Sequence, residues 1–199
     1  MSQLALEGVE GVLPVWPSAM ATVEAMLRNP GWLEGANEIL DMGCGSGILG
    51  VTVGKLAPAQ TCLFVDVNPD AVRTAGHNAA KNGLSFTGFV SDVWAQVPEQ
   101  RVSLIICNPP FQPGGPGGSN LVDEDFRMHR LFFQGARAFL SDGGRIVLAT
   151  CPVITGSREP ELIAIETGWK VSDRCIVNFA APSSRHPDRV HQYEILLLK

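Results

Sequence analysis

Three short apolar segments that each lead into an aspartate limit most strongly how this chain can fold. The first covers residues 37–42 and contains Asp41, the second ends on Asp66, and the third, residues 85–90, is followed closely by Asp92. Segments with helical spacing separate them, which is typical of βαβ units with parallel strands. Ligands of open α/β sheets bind at the edge where such strands end. Three carboxylates at that edge therefore predict a polar binding site.

The spacing of apolar residues along the rest of the chain predicts one α/β domain, without an internal repeat. Ser18 is the predicted N-cap of the first helix, and the last two strands are predicted to form an antiparallel hairpin at the sheet edge. The predicted strands cover residues 37–42, 61–66, 85–90, 102–107, 145–150, 170–178 and 190–198, and the predicted helices cover residues 18–28, 46–57, 69–82, 123–140 and 158–167.

The loop that follows Asp41 carries glycine at every second position, at Gly43, Gly45 and Gly47. Glycine permits positive φ and lets a ligand approach the backbone closely, and the helix that follows offers unpaired N–H groups. The spacing differs from that of dinucleotide-binding loops, and no Lys-Ser/Thr pair of a P-loop is present. Because Asp41 would repel a pyrophosphate, the loop favours a cationic or hydroxyl-rich ligand. Asp66 stands where α/β proteins place an acceptor for ribose hydroxyls.

The predicted strand 102–107 runs directly into Asn108-Pro109-Pro110-Phe111. Each proline restricts the residue before it and lacks an N–H, so this corner is stiff and cannot extend a sheet ladder. It presents an amide side chain, a free carbonyl and an aromatic ring. Such a group suits a planar NH₂: two acceptors for its protons and a ring for stacking. The alternative is a buried strand that simply ends in a proline turn.

Composition narrows the class of protein further. The chain has 199 residues and 45% hydrophobic content, enough for a real core. A net charge of −5 argues against a general nucleic-acid binder but leaves a local basic patch open. With no signal-like start and no long apolar run, the sequence predicts a cytoplasmic protein without a membrane span. Its five scattered cysteines are predicted to be reduced, with no metal site.

Taken together, these motifs resemble the class I S-adenosylmethionine-dependent methyltransferases, in the branch that carries an Asn-Pro-Pro-aromatic motif. This branch includes amino-methylating DNA and RNA enzymes and the glutamine methyltransferases of peptide release factors. The resemblance implies a Rossmann-like seven-stranded sheet with helices on both faces and a C-terminal antiparallel hairpin. It covers residues 37–150 by motif and the remainder by the order of elements. The matching motifs are residues 41–47, 65–69, 78–83, 91–92 and 108–111.

The resemblance implies S-adenosylmethionine as cofactor and S-adenosylhomocysteine as product. The glycine loop would pack on the methionine moiety, Asp66 would hold the ribose, and Asp92 would meet the adenine amine. The implied cofactor-binding residues are Asp41, Gly43, Cys44, Gly45, Gly47, Asp66, Val67, Asp92, Val93 and Asn108.

The resemblance also implies a catalytic role for Asn108, Pro109, Pro110 and Phe111. The side-chain oxygen of Asn108 and the carbonyl of Pro109 would accept the two protons of the methylated nitrogen, and Phe111 would stack on its planar group. Residues 1–36 would form an N-terminal helical segment that packs over the cofactor site, and residues 37–199 the methyltransferase domain.

Five further residues are candidates for binding the methyl acceptor. Trp94 either flanks a ring or belongs to the core, and Trp16 either lines the site or fixes the first helix. Loops 112–122 and 181–190 are either lids or plain connections. The five candidates are Trp16, Trp94, Gln112, Arg185 and His186.

The identity of the acceptor stays open at this point. The first hypothesis is an N-methyltransferase that acts on a protein glutamine-type amide, or on a small-molecule amide or amine. The alternative is an exocyclic amine of an RNA base, which requires a flipped or single-stranded base. A non-catalytic cofactor-binding partner subunit is the third possibility, and the intact residues 108–111 speak against it. The oligomeric state is not predicted.

Overall fold

The computed structural model describes residues 6–7, 16–57, 59, 61–112, 122–180 and 190–199. The strands are β1 (Glu38–Met42), β2 (Thr61–Asp66), β3 (Phe86–Val90), β4 (Val102–Cys107), β5 (Leu140–Thr150), β6 (Val171–Ala180) and β7 (Val190–Leu198). The α-helices are α1 (Pro17–Arg28), α2 (Ile48–Leu56), α3 (Pro69–Lys81), α4 (Arg127–Phe139), α5 (Pro152–Thr155) and α6 (Glu159–Glu166), and 3₁₀ turns cover Pro30–Leu33 and Glu124–Phe126.

The seven strands form one sheet in the order β3-β2-β1-β4-β5-β7-β6. Strands β1 to β5 pair in parallel, whereas β7 runs antiparallel to both β5 and β6. Strand β1, in the interior of the sheet, is buried along most of its length, as expected for a parallel strand covered on both faces. The predicted fold class, including the C-terminal hairpin, is confirmed.

Helices cover both faces of the sheet. Helices α1, α2 and α3 pack on one face, where Phe64 and Ile106 are fully buried, and α4 and α6 pack on the other, against residues such as Ile105 and Leu148. Alternate side chains of each strand point to opposite faces, so both apolar layers come from the same strands. Because β1, β2, β3 and β4 pair in parallel, their carboxyl ends lie at the same edge of the sheet.

Helix α1 is part of this domain, since it packs against β5, β6, β7 and α2. Ser18 is not its N-cap: the helix begins at Pro17, Trp16 is the N-cap residue, and no side chain caps it. The fixed φ of proline suits the first helical position, which moves the start one residue earlier. That residues 1–36 form an N-terminal helical segment that packs over the cofactor site stays a prediction.

Two other boundaries differ from those predicted. The segment 123–140 is not one helix, because Asp125 and Phe126 adopt positive φ and α4 begins only at Arg127. Strand β5 begins at Leu140 rather than 145, and its pairing with β4 shifts register near Gly143 and Gly144. The chain passes through these two glycines within the strand.

Two properties of the described residues bear on the sequence predictions. No helix among them is both long and apolar enough to cross a bilayer. All five cysteines carry free thiols, four of them buried.

Candidate active site

A cavity of about 500 Å³ opens at the carboxyl edge of the parallel strands. Its volume is typical of a small-molecule site. The two charged side chains among the described residues that line it, Asp66 and Asp92, lie on the β2–β3 side. The opposite side, next to β4, β5 and β7, is lined by uncharged residues among those that the structure describes.

The glycine loop presents bare backbone to the cavity. Gly43 and Gly45 line it, both have positive φ, and no atom lies within 4 Å of the position that a Cβ would occupy. The N–H groups of Gly43 and Cys44 donate to the carbonyl of Val65 (2.8 and 3.0 Å), which ties the loop to β2. A ligand can therefore lie directly against the loop backbone.

Asp41 links β1 to α2, the helix that follows the glycine loop. Its carboxylate is buried and accepts a hydrogen bond from the N–H of Gly50 in α2 (2.8 Å). Burial raises the pKa of Asp41 to about 7, the nearby charge of Asp66 adds to this increase, and the bond from Gly50 opposes it. Asp41 borders only a small side cavity next to Cys44 and does not line the main one.

The raised pKa of Asp41 predicts an unusual pH dependence of stability. A pKa raised from 3.8 to about 7 on folding contributes stability that is complete below 3.8 and is lost as pH rises through 7. The Asp41→Asn variant lacks this titration, so its free energy of unfolding should fall less than that of the wild type between pH 5 and pH 8. Each pKa unit of the shift at Asp41 makes the free energy of unfolding of the wild type fall by a further ~1.4 kcal/mol relative to that of the variant. Urea unfolding at a series of pH values measures it, and parallel profiles for the two proteins would contradict the assignment.

Asp66 is fixed at the end of β2 by two backbone donors. Its Oδ2 accepts from the N–H of Gly45 (3.0 Å) and its Oδ1 from the N–H of Asn68 (2.9 Å). Each carboxylate oxygen accepts more than one hydrogen bond. The side chain thus keeps acceptor capacity toward the cavity while its orientation is fixed.

The segment after β3 is shaped by Ser91, whose role the sequence did not reveal. Its buried hydroxyl donates to the carbonyl of Val93 (2.8 Å) and accepts from the N–H of Gln96 (3.0 Å). Asp92 lines the cavity and pairs with Arg127 through both guanidinium nitrogens (3.2 and 2.7 Å). The hydrogen bond from Arg127 lowers the pKa of Asp92.

The corner Asn108-Pro109-Pro110-Phe111 forms the central wall of the cavity. The side-chain Oδ1 of Asn108 is buried and has no hydrogen-bond partner among the described residues. A buried polar atom without a partner costs free energy, so native structures rarely retain one without a functional reason. No hydrogen bond to a described residue opposes a half-turn of this amide, which would exchange its oxygen and nitrogen.

The uncharged side of the cavity includes a residue that the sequence analysis did not identify. Tyr193 of β7 lines it, is 3% exposed, and lies against Phe111 with ring centroids 6.4 Å apart. β7 inserts next to β5, which brings Tyr193 to the carboxyl edge of the parallel strands. The candidates Trp16 and Gln112 line the same cavity, together with Ile154 of α5.

Several predicted site residues lie elsewhere. Trp94 does not line the cavity: the positive φ of Val93 turns the chain, and the indole stacks on Phe132 and Phe139 against α4. Its N–H donates to the carbonyl of Phe132 (3.0 Å). The structure thus places Trp94 in the apolar layer beside α4 and not at the cavity, in line with the alternative that it belongs to the core.

Two members of the glycine loop also have structural roles. Cys44 is buried in the core and borders only the small side cavity. Gly47 lines neither cavity, and a Cβ there would lie 2.8 Å from the backbone of Ala75, so glycine permits close packing of α2 on α3. Arg185 and His186 lie outside the described residues, as do most of the loops 112–122 and 181–190.

A buried aspartate–histidine pair supports the wall formed by residues 122 and 128. His129 is 1% exposed, and its Nδ1 lies 2.6 Å from Oδ2 of Asp123. The Asp123 carboxylate also accepts hydrogen bonds from the backbone N–H groups of Met128 (2.7 Å) and His129 (3.1 Å). The backbone N–H of Asp123 donates to the carbonyl of Gln112 (2.7 Å). Burial raises the pKa of Asp123, but these hydrogen bonds outweigh it and the net pKa is lowered.

Removal of the Asp123 carboxylate should destabilise the protein markedly. The Asp123→Ala variant leaves two N–H groups at the start of α4 and the buried His129 ring without their acceptor, which should lower the free energy of unfolding by roughly 2–4 kcal/mol. The exposed Asp142, replaced by alanine, is the control and should change it by less than about 0.5 kcal/mol. Denaturant unfolding measures both, and equal midpoints would show that the pair does not hold this segment.

The seven-stranded sheet and the cavity at its carboxyl edge are of the kind found in the class I S-adenosylmethionine-dependent methyltransferases. More specifically, the chain belongs to the methyltransferase small domain family, which matches residues 22–155. The implied cofactor suits the site, since an open glycine backbone, a fixed acid for hydroxyl groups and an unpartnered amide oxygen face one cavity.

The curated relatives include a ribosomal RNA methyltransferase and a release factor glutamine methyltransferase. The chain is 33% identical over 125 residues to ribosomal RNA small subunit methyltransferase C of Hahella chejuensis, covering 63% of this chain and 34% of the relative. It is 27% identical over 155 residues to the release factor glutamine methyltransferase of Geobacter sulfurreducens, covering 69% and 52%. The chain thus spans about a third to a half of the length of these relatives.

Solved structures show the same fold. A putative RNA methyltransferase of Pyrococcus horikoshii superposes with a TM-score of 0.69 at 22% identity, covering 98% of this chain and 92% of that one. The 16S rRNA N2 methyltransferase of T. thermophilus, solved with AdoMet and guanosine, gives 0.66 at 24% identity, covering 96% and 45%.

Proposed function

We propose that this chain is an S-adenosylmethionine-dependent N-methyltransferase whose acceptor is a planar, uncharged nitrogen. The observation that carries the proposal is the unpartnered side-chain oxygen of Asn108 at the wall of the cavity. Such an atom costs about 1–3 kcal/mol when left unsatisfied. An NH₂ group of the acceptor offsets this cost by donating to it.

The β2–β3 side of the cavity is assigned to the cofactor. S-adenosylmethionine, when bound, supplies a methyl group already activated on a positively charged sulfur. Gly43 and Gly45 offer open backbone, and Asp66 retains acceptor capacity for ribose hydroxyls. The negative charges of Asp66 and Asp92 also favour a cationic ligand over a phosphate.

The residues of the corner supply positioning and charge stabilisation. In the proposed complex, Asn108 Oδ1 and the Pro109 carbonyl accept the two protons of the acceptor nitrogen, which holds its lone pair toward the methyl donor. Positive charge develops on the nitrogen during transfer, and the two acceptors stabilise that charge more than they stabilise the neutral ground state.

The uncharged side of the cavity indicates what carries the nitrogen. Among the described residues on that side, Phe111 and Tyr193 contribute aromatic rings and no residue contributes a charge. Aromatic walls bind flat rings by stacking, so an exocyclic amine of a nucleobase is the favoured acceptor. A protein glutamine amide is the second candidate, because it is also planar and uncharged and the Geobacter sulfurreducens relative aligns over 69% of this chain.

Incubation with methyl-labelled S-adenosylmethionine tests this function. Separate RNA, protein and small-metabolite fractions are incubated with the wild type and with Asn108→Ala, and the methylated component is identified after digestion. Label on a base amine or a glutamine amide that depends on Asn108 supports the proposal. Absence of label in every fraction, or label on oxygen or carbon, would contradict it.

A further inference from the structure

We propose that the hydroxyl of Tyr193 donates a hydrogen bond to the methyl acceptor and so selects acceptors that carry a hydrogen-bond acceptor atom beside the methylated NH₂. This inference rests on the proposed function and extends it to a residue on the last strand of the sheet. Carboxamides and amino-substituted base rings satisfy the requirement. Alkyl amines and simple anilines do not.

The first observation is the position of Tyr193. It comes from β7, on the side of the cavity that holds no carboxylate, and its ring faces Phe111 at a centroid distance of 6.4 Å and an interplanar angle of 48°. The cofactor side is built from β1, β2 and β3, which lie beyond β4 and β5 in the sheet order. Tyr193 is therefore placed to meet the acceptor rather than the nucleoside of the cofactor.

The second observation is the state of its hydroxyl. Tyr193 is only 3% exposed, and its hydroxyl makes no hydrogen bond with any described residue. The hydroxyl is nevertheless not one of the fully buried polar atoms that lack a partner, so part of it is accessible. A buried tyrosine usually pairs its O–H group. Here the accessible space next to Tyr193 is the cavity, so the free hydroxyl is available to a bound ligand.

Rigidity and protonation both suit a donor. His191 stacks on the Tyr193 ring at a centroid distance of 6.1 Å and an angle of 22°, which with Phe111 limits ring movement. Burial, with a smaller effect from Cys151, raises the pKa of Tyr193 to about 12. The phenol is thus protonated at neutral pH and offers a proton in a fixed direction.

The side chains of Asn108 and Tyr193 can bind the same methyl acceptor through opposite kinds of hydrogen bond. Asn108 supplies an accepting oxygen and Tyr193 supplies a donating hydroxyl. A site that hydrogen-bonds a ligand in both senses rejects analogues lacking one of the atoms, because a buried group is then left unpaired. This provides selectivity without a charged residue.

The Tyr193→Phe variant tests the inference with the removal of a single oxygen atom. The rate of methyl transfer is measured at low amounts of the fraction that the wild type labels, where it is proportional to kcat/KM. The variant should lose about three- to tenfold, the value of one neutral hydrogen bond. Its affinity for S-adenosylmethionine and its Tm should equal those of the wild type, because the hydroxyl holds no described partner.

A matched control separates this role from general loss of structure. Thr150→Val removes a buried hydroxyl from the neighbouring strand β5, where it donates to the carbonyl of Glu194 (3.0 Å) and does not line the cavity. It should lower Tm and leave kcat/KM unchanged. Wild-type rates for Tyr193→Phe would overturn the inference while leaving the proposed function intact, whereas no labelling by the wild type would reject the proposed function itself.

A direct readout is available because the sequence contains a single tyrosine. Protein labelled with 3-fluorotyrosine gives one fluorine resonance, which reports on Tyr193 alone. Saturation with S-adenosylhomocysteine should shift this resonance little. Subsequent addition of the RNA, protein or metabolite fraction that the wild type methylates should shift it clearly. A full shift with S-adenosylhomocysteine alone would assign Tyr193 to the cofactor and overturn the inference.

Discussion

Replacement of Asn108 by alanine is expected to lower kcat for methyl transfer by about 10²–10³-fold, the effect of removing one fixed polar group that stabilises transition-state charge. The side chain forms no hydrogen bond within the described structure, so its removal breaks no hydrogen bond there. The dissociation constant for S-adenosylmethionine should change by less than about threefold. Single-turnover kinetics with labelled cofactor, combined with calorimetry, measures both quantities.

Asn37→Ala is the control for this variant. Asn37 is exposed and precedes β1 at the opposite edge of the sheet, so the same chemical change there should leave kcat unaltered. A normal rate for Asn108→Ala would remove the catalytic role of the corner. A large loss of cofactor affinity would instead assign Asn108 to cofactor binding.

Replacement of Asp66 by alanine is expected to weaken S-adenosylmethionine binding by more than about tenfold. A hydrogen bond to a charged group contributes roughly 1.5–3 kcal/mol, and the carboxylate is proposed to hold the ribose. The substitution also releases the N–H groups of Gly45 and Asn68, which lets the glycine loop move. Isothermal titration with S-adenosylhomocysteine measures the change.

Asp70→Ala tests whether this loss is specific. Asp70 lies in the first turn of α3, pairs with Arg73 at the surface and does not line the cavity. Its removal takes away one negative charge near the same site but should leave the affinity within about twofold. Unchanged affinity for Asp66→Ala would refute the ribose assignment, and equal losses in both variants would indicate that only net charge matters.

The local parts of the site could be predicted from sequence because their chemistry is contained in short segments. An apolar strand, an acid and the glycines follow one another within residues 39–47. A parallel sheet brings the carboxyl ends of its strands to one edge, whatever the order of the strands. The corner at Asn108 is defined by two prolines and needs no long-range contact. These features therefore follow from propensity and spacing.

Tyr193 could not be predicted in the same way. Its place beside Phe111 depends on β7 inserting between β5 and β6, which no local pattern specifies. The place of Trp94 could not be predicted for a related reason: a positive φ at Val93, a β-branched residue, is rare and redirects the side chain that follows. The hydrogen bonds of Ser91 hold that unusual backbone, and serine alone gives no such signal.

The place of β7 in the sheet also affects how the protein is made. Until residues 190–198 have left the ribosome, the outer hydrogen-bonding edge of β5 has no neighbour, and β6 has no strand with which to pair. An unpaired apolar edge is a template for association with other chains. We therefore expect premature termination before residue 190 to produce an aggregating polypeptide, even though most of the cofactor-binding side would already be synthesised.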